Sequence, residues 1–71
     1  MNPTEPGFWI FNGIRAVQNN QYRHIHAPVE IVYVWNRRGR ELAVKLIGRQ
    51  QAIRLDAFCG EWQRLELEPT P

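Results

Sequence analysis

Residues 51–67, QAIRLDAFCGEWQRLEL, indicate the fold more clearly than any other stretch of the chain. The alternation of apolar and polar residues at its start has the period of a half-buried β-strand. Asp56, Ala57 and Phe58 are typical of one short 3₁₀ turn with Asp56 as its cap, and Gly60 ends that turn. Residues 61–67 then form the last strand. The stretch therefore predicts a strand, a single 3₁₀ turn and a closing strand.

A longer strand pair precedes this stretch. Residues 29–35 carry apolar side chains on both faces, which is typical of a central strand. Residues 36–39 form a turn in which Gly39 can adopt a positive φ, and residues 41–47 return as the partner strand. The tip of this predicted hairpin carries Arg37, Arg38 and Arg40.

The N-terminal part predicts another hairpin. Residues 7–11 are rich in aromatic side chains and are followed by Asn12-Gly13, a strong signal for a two-residue hairpin turn. Residues 14–17 would return as a short strand. The polar residues 18–21 are then expected to form a loop.

The whole pattern predicts an all-β fold of five or six short antiparallel strands, and its order resembles that of the SH3-like barrel family. Residues 29–55 stand for the meander of that family, residues 56–58 for its 3₁₀ turn and residues 61–67 for its closing strand. The resemblance covers about two-thirds of the chain. It implies a small SH3-like barrel but no proline-peptide site, because no Ala-Leu-Tyr-type motif occurs near the start. The central inward positions, which we expect in the core, are Ile31, Val44, Ile53 and Leu65.

Size and composition indicate one folded domain. The chain has 71 residues, 44% of them hydrophobic and 23% charged, and we expect the domain to span residues 7–67. Proline-containing tails are expected at residues 1–6 and 68–71. A single cysteine, Cys59, excludes an internal disulfide. Without a membrane-span pattern or a signal-peptide pattern, a cytoplasmic setting is expected.

Charge is unevenly distributed along the chain. Residues 13–54 contain eight basic and two acidic residues, a net charge of +6, whereas residues 55–71 carry a net charge of −3. The chain is therefore electrically polarised along its sequence, and its acidic C-terminal third argues against a site that wraps a nucleic acid completely.

Two tripeptides resemble those of short uncharacterised phage and prophage proteins. These proteins often open with a Gly-aromatic-Trp strand and close with a Gly-Glu-Trp or Gly-Pro strand, and here residues 7–9 are Gly-Phe-Trp and residues 60–62 are Gly-Glu-Trp. The resemblance suggests a mobile-element origin and implies no activity.

The candidates for chemistry are few. His24 and His26 would share one face of a strand, a spacing that can hold zinc, but only Cys59 and scattered carboxylates could complete the ligand set. Cys59 could pair with either histidine as a nucleophile and base. We favour Cys59 as a small buried filler, and we expect no metal, no cofactor and no enzymatic activity.

The arginine-rich hairpin and nearby aromatic residues are the best candidates for binding. Guanidinium groups on a turn could bind phosphates or carboxylates, although such a turn can also serve only for solubility. Trp9 and Phe58 are expected in the core, and Tyr22 and Trp35 at the surface. The function predicted first is binding of a protein with an acidic surface, with no membrane involved; the alternatives are nucleic-acid binding and self-assembly, including a homodimer, through a strand edge. The predicted partner-binding residues are Arg37, Arg38, Arg40, Trp35, Tyr22 and Arg49.

Overall fold

The computed structural model describes residues 2–65, and this part of the chain is all-β. A 3₁₀ turn, Leu55–Ala57, comes directly before the last strand. The predicted all-β class, the antiparallel pairing and the single 3₁₀ turn before the last strand are confirmed. No helix in the described residues is long and apolar enough to cross a membrane. The strands are β1 (Gly7–Val17), β2 (Gln21–Asn36), β3 (Gly39–Leu46), β4 (Ala52–Arg54) and β5 (Phe58–Arg64).

The five strands form one antiparallel sheet in the order β4-β3-β2-β1-β5. The long strand β2 pairs with β1 up to Ile31 and with β3 from Val29 onward, so the two ladders overlap over only three residues. β2 is therefore central, as its two apolar faces predict. Within residues 2–65 no ladder joins β4 to β5, so the sheet is not closed.

Aromatic side chains of β1 and β5 build most of the core. Phe11 is fully buried, and its ring centroid lies 5.2 Å from that of Phe58 and 4.5 Å from that of Trp62. Trp9 and Phe58 are each 7% exposed, as predicted. Burying a large apolar side chain contributes about 1.5–3 kcal/mol. These contacts therefore stabilise a chain that has no internal disulfide.

The predicted core positions are confirmed on the two central strands. Ile31 and Val44 face each other across β2 and β3 and are fully buried. Ile53 and Leu65 are only half-buried. Ile53 packs against the core from β4, which is an edge strand and so has no neighbour on its outer side. Leu65 follows β5, and its N–H donates to the carbonyl of Phe8 at 3.0 Å.

The predicted hairpin turn at Asn12-Gly13 is wrong. Both residues lie inside β1, which runs on to Val17 and pairs with β2 on one side and β5 on the other. The chain reverses at residues 18–20 instead, where Asn19 and Asn20 adopt φ angles of 63° and 57°. Asparagine tolerates this left-handed conformation better than most residues, so the turn does not require glycine.

The 3₁₀ turn is displaced from its prediction and is not capped by Asp56. It spans Leu55–Ala57, and Arg54 is its N-cap residue, with no side-chain capping bond. The carboxylate of Asp56 instead accepts a hydrogen bond from Nη2 of Arg54 at 2.9 Å. The last strand accordingly begins at Phe58, three residues earlier than predicted, whereas residues 66 and 67 of the predicted strand lie outside the described part.

The segment before β1 contacts the sheet. Pro3 is buried, and the indole N–H of Trp9 donates to the carbonyl of Glu5 at 3.3 Å. The Glu5 carboxylate pairs with the guanidinium of Arg64, which also lies 5.7 Å from the Trp9 ring centroid. These contacts link the start of the chain to β5. The tail expected at residues 1–6 stays a prediction, and the one at residues 68–71 lies outside the described residues.

Candidate binding surface at the turn between β2 and β3

The turn between β2 and β3 presents two arginines on a short loop. Asn36 and Gly39 are paired, so only Arg37 and Arg38 form the loop. The side-chain carbonyl of Asn36 accepts a hydrogen bond from the backbone N–H of Arg38 at 2.7 Å, and Gly39 has a φ of 109°. A Cβ on Gly39 would meet no atom within 4 Å, so its backbone conformation, rather than crowding, favours glycine there. Local interactions thus hold both arginines at the end of the hairpin.

An arginine stacked on a tyrosine lies directly behind this loop. Arg40 is the cross-strand partner of Trp35, and its guanidinium carbon lies 4.1 Å from the ring centroid of Tyr33. Such a cation–π contact contributes about 0.5–1 kcal/mol at an exposed site. Arg40 is thereby oriented beside Trp35. We call the group of five residues the aromatic tip; it consists of Tyr33, Trp35, Arg37, Arg38 and Arg40.

Trp35 is by far the most exposed tryptophan of the protein. Its exposed fraction is 78%, against 7% for Trp9 and 9% for Trp62. The ladder of β2 with β1 ends at Ile31, and β4 pairs with β3 only from Ala43 onward. Beyond these positions β2 and β3 pair only with each other, as a two-stranded ribbon. Trp35 therefore lies where neither β1 nor β4 covers it.

Positive charge dominates the ribbon, although the carboxylate of Glu41 lies near its arginines. An open surface cleft of about 380 Å³ is lined by Asn36, Arg37, Arg38, Glu41 and Arg54. Arg54 is already paired with Asp56 at 2.9 Å, and both side chains are largely exposed. An exposed pair of this kind contributes little to stability, but it does offset the charge of Arg54. Among residues 2–65, the arginines that line the cleft without an ion-pair partner are therefore Arg37 and Arg38 of the aromatic tip.

Two of the six predicted partner-binding residues lie far from the other four. Tyr22 is 65% exposed at the start of β2, thirteen residues before Trp35, a separation of about 43 Å along an extended strand. Arg49 follows β3 at the end opposite to Arg40, and its N–H donates to the carbonyl of Leu46 at 3.0 Å. The structure therefore brings together Trp35, Arg37, Arg38 and Arg40, and adds Tyr33, which is not among the predicted residues. The two-residue spacing of Tyr33 and Trp35 is the signal that could have identified it.

Cys59 is exposed, so the prediction of a buried filler is wrong. Because β5 begins at Phe58, that ring takes the inward position and the next residue points outward. Cys59 lies opposite Ile14 on the outer face of the sheet. An exposed thiol is accessible to reagents without being catalytic, so accessibility alone indicates no chemistry.

The two histidines do share one face of β2. His24 and His26 are exposed and lie opposite Ile14 and Asn12 of β1. Within residues 2–65, no group of three or more histidine, cysteine, aspartate or glutamate side chains could hold a metal ion.

Comparison with known proteins finds no matching family model, no matching curated protein and no matching solved structure.

Proposed function

We propose that this protein is a non-enzymatic binding module whose aromatic tip docks onto an acidic surface of a partner protein. The observation that carries the proposal is Trp35, 78% exposed next to three arginines on an ordered hairpin. Tryptophan and arginine are enriched among the residues that dominate binding energy at protein interfaces. The proposal requires no cofactor and no metal.

Each part of the aromatic tip has a role in this proposal. Trp35 would lose most of its exposed surface in a partner's pocket, which supplies apolar binding energy. Arg37 and Arg38 would donate paired hydrogen bonds to carboxylates around that pocket. Arg40 is already oriented by Tyr33, so less conformational freedom is lost when it binds. A short hairpin thus presents one apolar anchor beside three cations.

The distribution of basic residues favours a compact protein partner over a long nucleic acid. The arginines of the aromatic tip lie at one end of β2, whereas Arg15 and Arg23 lie at the level of its other end. Half-buried apolar residues such as Ile25 and Val32 occupy the strand between them. A groove that follows a nucleic-acid backbone needs a more continuous row of cations.

Single-stranded nucleic-acid binding is the second candidate. One observation favours it: the Tyr33 ring, with Arg40 over it, and the exposed Trp35 lie at the same end of one strand. Bases stack on such rings while arginines contact the phosphates. In this case the protein would contact only a few nucleotides, at the aromatic tip.

Self-assembly is a third candidate, and the open sheet favours it. Within residues 2–65, β4 and β5 each have one edge without a neighbouring strand. Exposed edges can pair with strands of another copy. Because β4 has only three residues, its edge alone can form few hydrogen bonds with a strand of another copy.

We also infer that the sheet is an opened relative of the SH3-like barrel. Three features support this relation: the meander of β2, β3 and β4, the 3₁₀ turn before the last strand, and the position of β5 beside β1.

Site-specific cross-linking tests the proposed function. The photoreactive amino acid benzoylphenylalanine, placed at position 35, keeps an aromatic ring at the tip. The same substitution at position 47 is the matched control, because Ile47 is also exposed, at 61%, but lies in the turn after β3. We expect a cross-linked protein from position 35 and not from position 47. The resemblance to phage proteins makes bacterial host proteins the first partners to examine.

An oligonucleotide competitor separates the first two candidates. An excess of single-stranded oligodeoxynucleotide should leave the protein cross-link at position 35 unchanged. If the competitor removes that cross-link and is itself cross-linked, the tip is a nucleic-acid site. If position 47 captures the same protein as efficiently as position 35, the proposed site is wrong.

A further inference from the structure

Two arginines face each other near the turn between β1 and β2, far from the aromatic tip. Arg15 of β1 is the register partner of Arg23 of β2, so both side chains lie on the same face of the sheet. The Cβ atoms of such partners are about 4.5–5.5 Å apart, and like charges directly opposite each other are destabilising. On its other side Arg15 faces the buried ring of Phe58. The ladder therefore gives Arg15 one cationic and one apolar neighbour.

Arg15 also has an unsatisfied donor. Its Nε atom is buried and has no hydrogen-bond partner among the described residues. A buried donor without a partner is costly, and more so when it belongs to a charged group. In residues 2–65 the ion pairs are Arg54 with Asp56 and Arg64 with Glu5, so neither Arg15 nor Arg23 is neutralised there.

An open surface cleft lies next to this pair. Its volume is about 650 Å³, and it is lined by Arg15, Arg23 and residues 16–19 and 21. Gln18, Asn19 and Gln21 bring side-chain amides, which can donate hydrogen bonds. No carboxylate of residues 2–65 is among the lining residues. The cleft thus offers two guanidinium groups and further donors, and no carboxylate of the described residues lines it to balance them.

We propose that Arg15 and Arg23 form an anion site that binds a phosphate group. Phosphate oxygens would accept hydrogen bonds from the guanidinium groups of Arg15 and Arg23, and the anion would offset the repulsion between the two cations. The planar guanidinium group suits paired hydrogen bonds to phosphate oxygens. Inorganic phosphate and the phosphate group of a mononucleotide both offer such oxygens, so either could occupy the site. This site does not depend on the proposed function of the aromatic tip.

A titration monitored at the arginine side chains tests the site. The Nε–H resonances of the ¹⁵N-labelled protein are followed by NMR, with inorganic phosphate or adenosine monophosphate replacing chloride at constant ionic strength. We expect saturable shifts of the Arg15 and Arg23 signals. The signal of Arg54, which is already paired with Asp56, should not respond. Tighter binding of the nucleotide than of the free ion would identify a nucleotide as the source of the phosphate, and equal binding would identify the free ion.

Arg23→Gln is the decisive variant, because Arg23 is exposed and its loss should not impair folding. It should weaken phosphate binding at least about tenfold, as expected for the loss of a charge-assisted hydrogen bond. Arg49→Gln removes one charge elsewhere and should leave the affinity unchanged. The melting temperature gives an independent measurement: phosphate should raise that of the natural protein and not that of Arg23→Gln. The absence of saturable shifts in the natural protein, or an unchanged affinity in Arg23→Gln, would overturn the proposal.

Discussion

Gly13 of β1 and Gly60 of β5 are register partners whose backbones approach so closely that neither position has room for a side chain. A Cβ on Gly13 would lie 2.4 Å from the carbonyl oxygen of Cys59 and 2.6 Å from the Cα of Gly60. A Cβ on Gly60 would lie 2.4 Å from the carbonyl oxygen of Asn12. Because the opposing atoms belong to the backbone, they cannot move aside as a flexible side chain could. This contact fixes how β5 joins the sheet.

Gly13→Ala should therefore destabilise the protein, although alanine usually stabilises a strand relative to glycine. We expect a loss of at least about 1–3 kcal/mol in the free energy of unfolding, as overpacking produces. Urea denaturation followed by circular dichroism measures it. Ala16→Gly, at an exposed position of the same strand, is the control and should cost about 0.5–1 kcal/mol. A Gly13→Ala protein as stable as the natural one would show that β1 and β5 are farther apart at Gly13 and Gly60 than the structure describes.

The aromatic core should be sensitive to truncation at its centre. Phe11 is fully buried and contacts both Phe58 and Trp62, so Phe11→Ala should cost about 3–5 kcal/mol. Such a loss is a large share of the stability of a small domain. Ile47→Ala, at a position 61% exposed, should change stability by less than about 0.5 kcal/mol. Equal effects of the two substitutions on the denaturation midpoint would contradict the described core.

The hairpin of β2 and β3 could be predicted from sequence because its signals are local. Apolar residues alternate along both strands, and Gly39 is at the position that needs a positive φ. The turn predicted at Asn12-Gly13 is wrong because that prediction, too, depends on a local signal alone. A local dipeptide signal was outweighed by a contact with Gly60, 47 residues later, which no local pattern reveals.

The candidate site could be predicted only in part. Consecutive arginines at a turn locate the tip, and Trp35 is near enough in sequence to be grouped with them. The predicted site also includes Tyr22 and Arg49, but the length of a strand separates each of these residues from the aromatic tip. The outward position of Cys59 was missed because a shift in the start of β5 reverses which residues face the core.

Cys59 should react readily with a thiol reagent in the folded protein. Because its side chain is exposed, the colorimetric reagent DTNB should label it fully without denaturant. Cys59→Ser should change the free energy of unfolding by less than about 0.5 kcal/mol, as exposed substitutions usually do. A thiol that reacts only after urea is added would place Cys59 in the interior.

Reversing the charges of the loop should separate binding from folding. Arg37→Glu combined with Arg38→Glu alters two exposed side chains, so the melting temperature should change little. Arg40 is kept, because its contact with Tyr33 orients the tip. The double reversal should remove the cross-link formed from position 35. A protein partner should show a shallower decrease of affinity with salt than a nucleic acid, which releases counterions on binding.

The affinity of the partner identified by cross-linking, measured by calorimetry for Trp35→Ala and Ile47→Ala, tests the central claim most directly. If Trp35 is the anchor of the interface, its truncation should weaken binding at least about 30-fold, as expected for a dominant interface residue. Ile47→Ala should stay within about twofold of the natural protein, since a residue outside the interface contributes no binding energy. Circular dichroism confirms that both variants fold. A folded Trp35→Ala protein that binds the partner as tightly as the natural protein would contradict the claim that the aromatic tip is the binding surface.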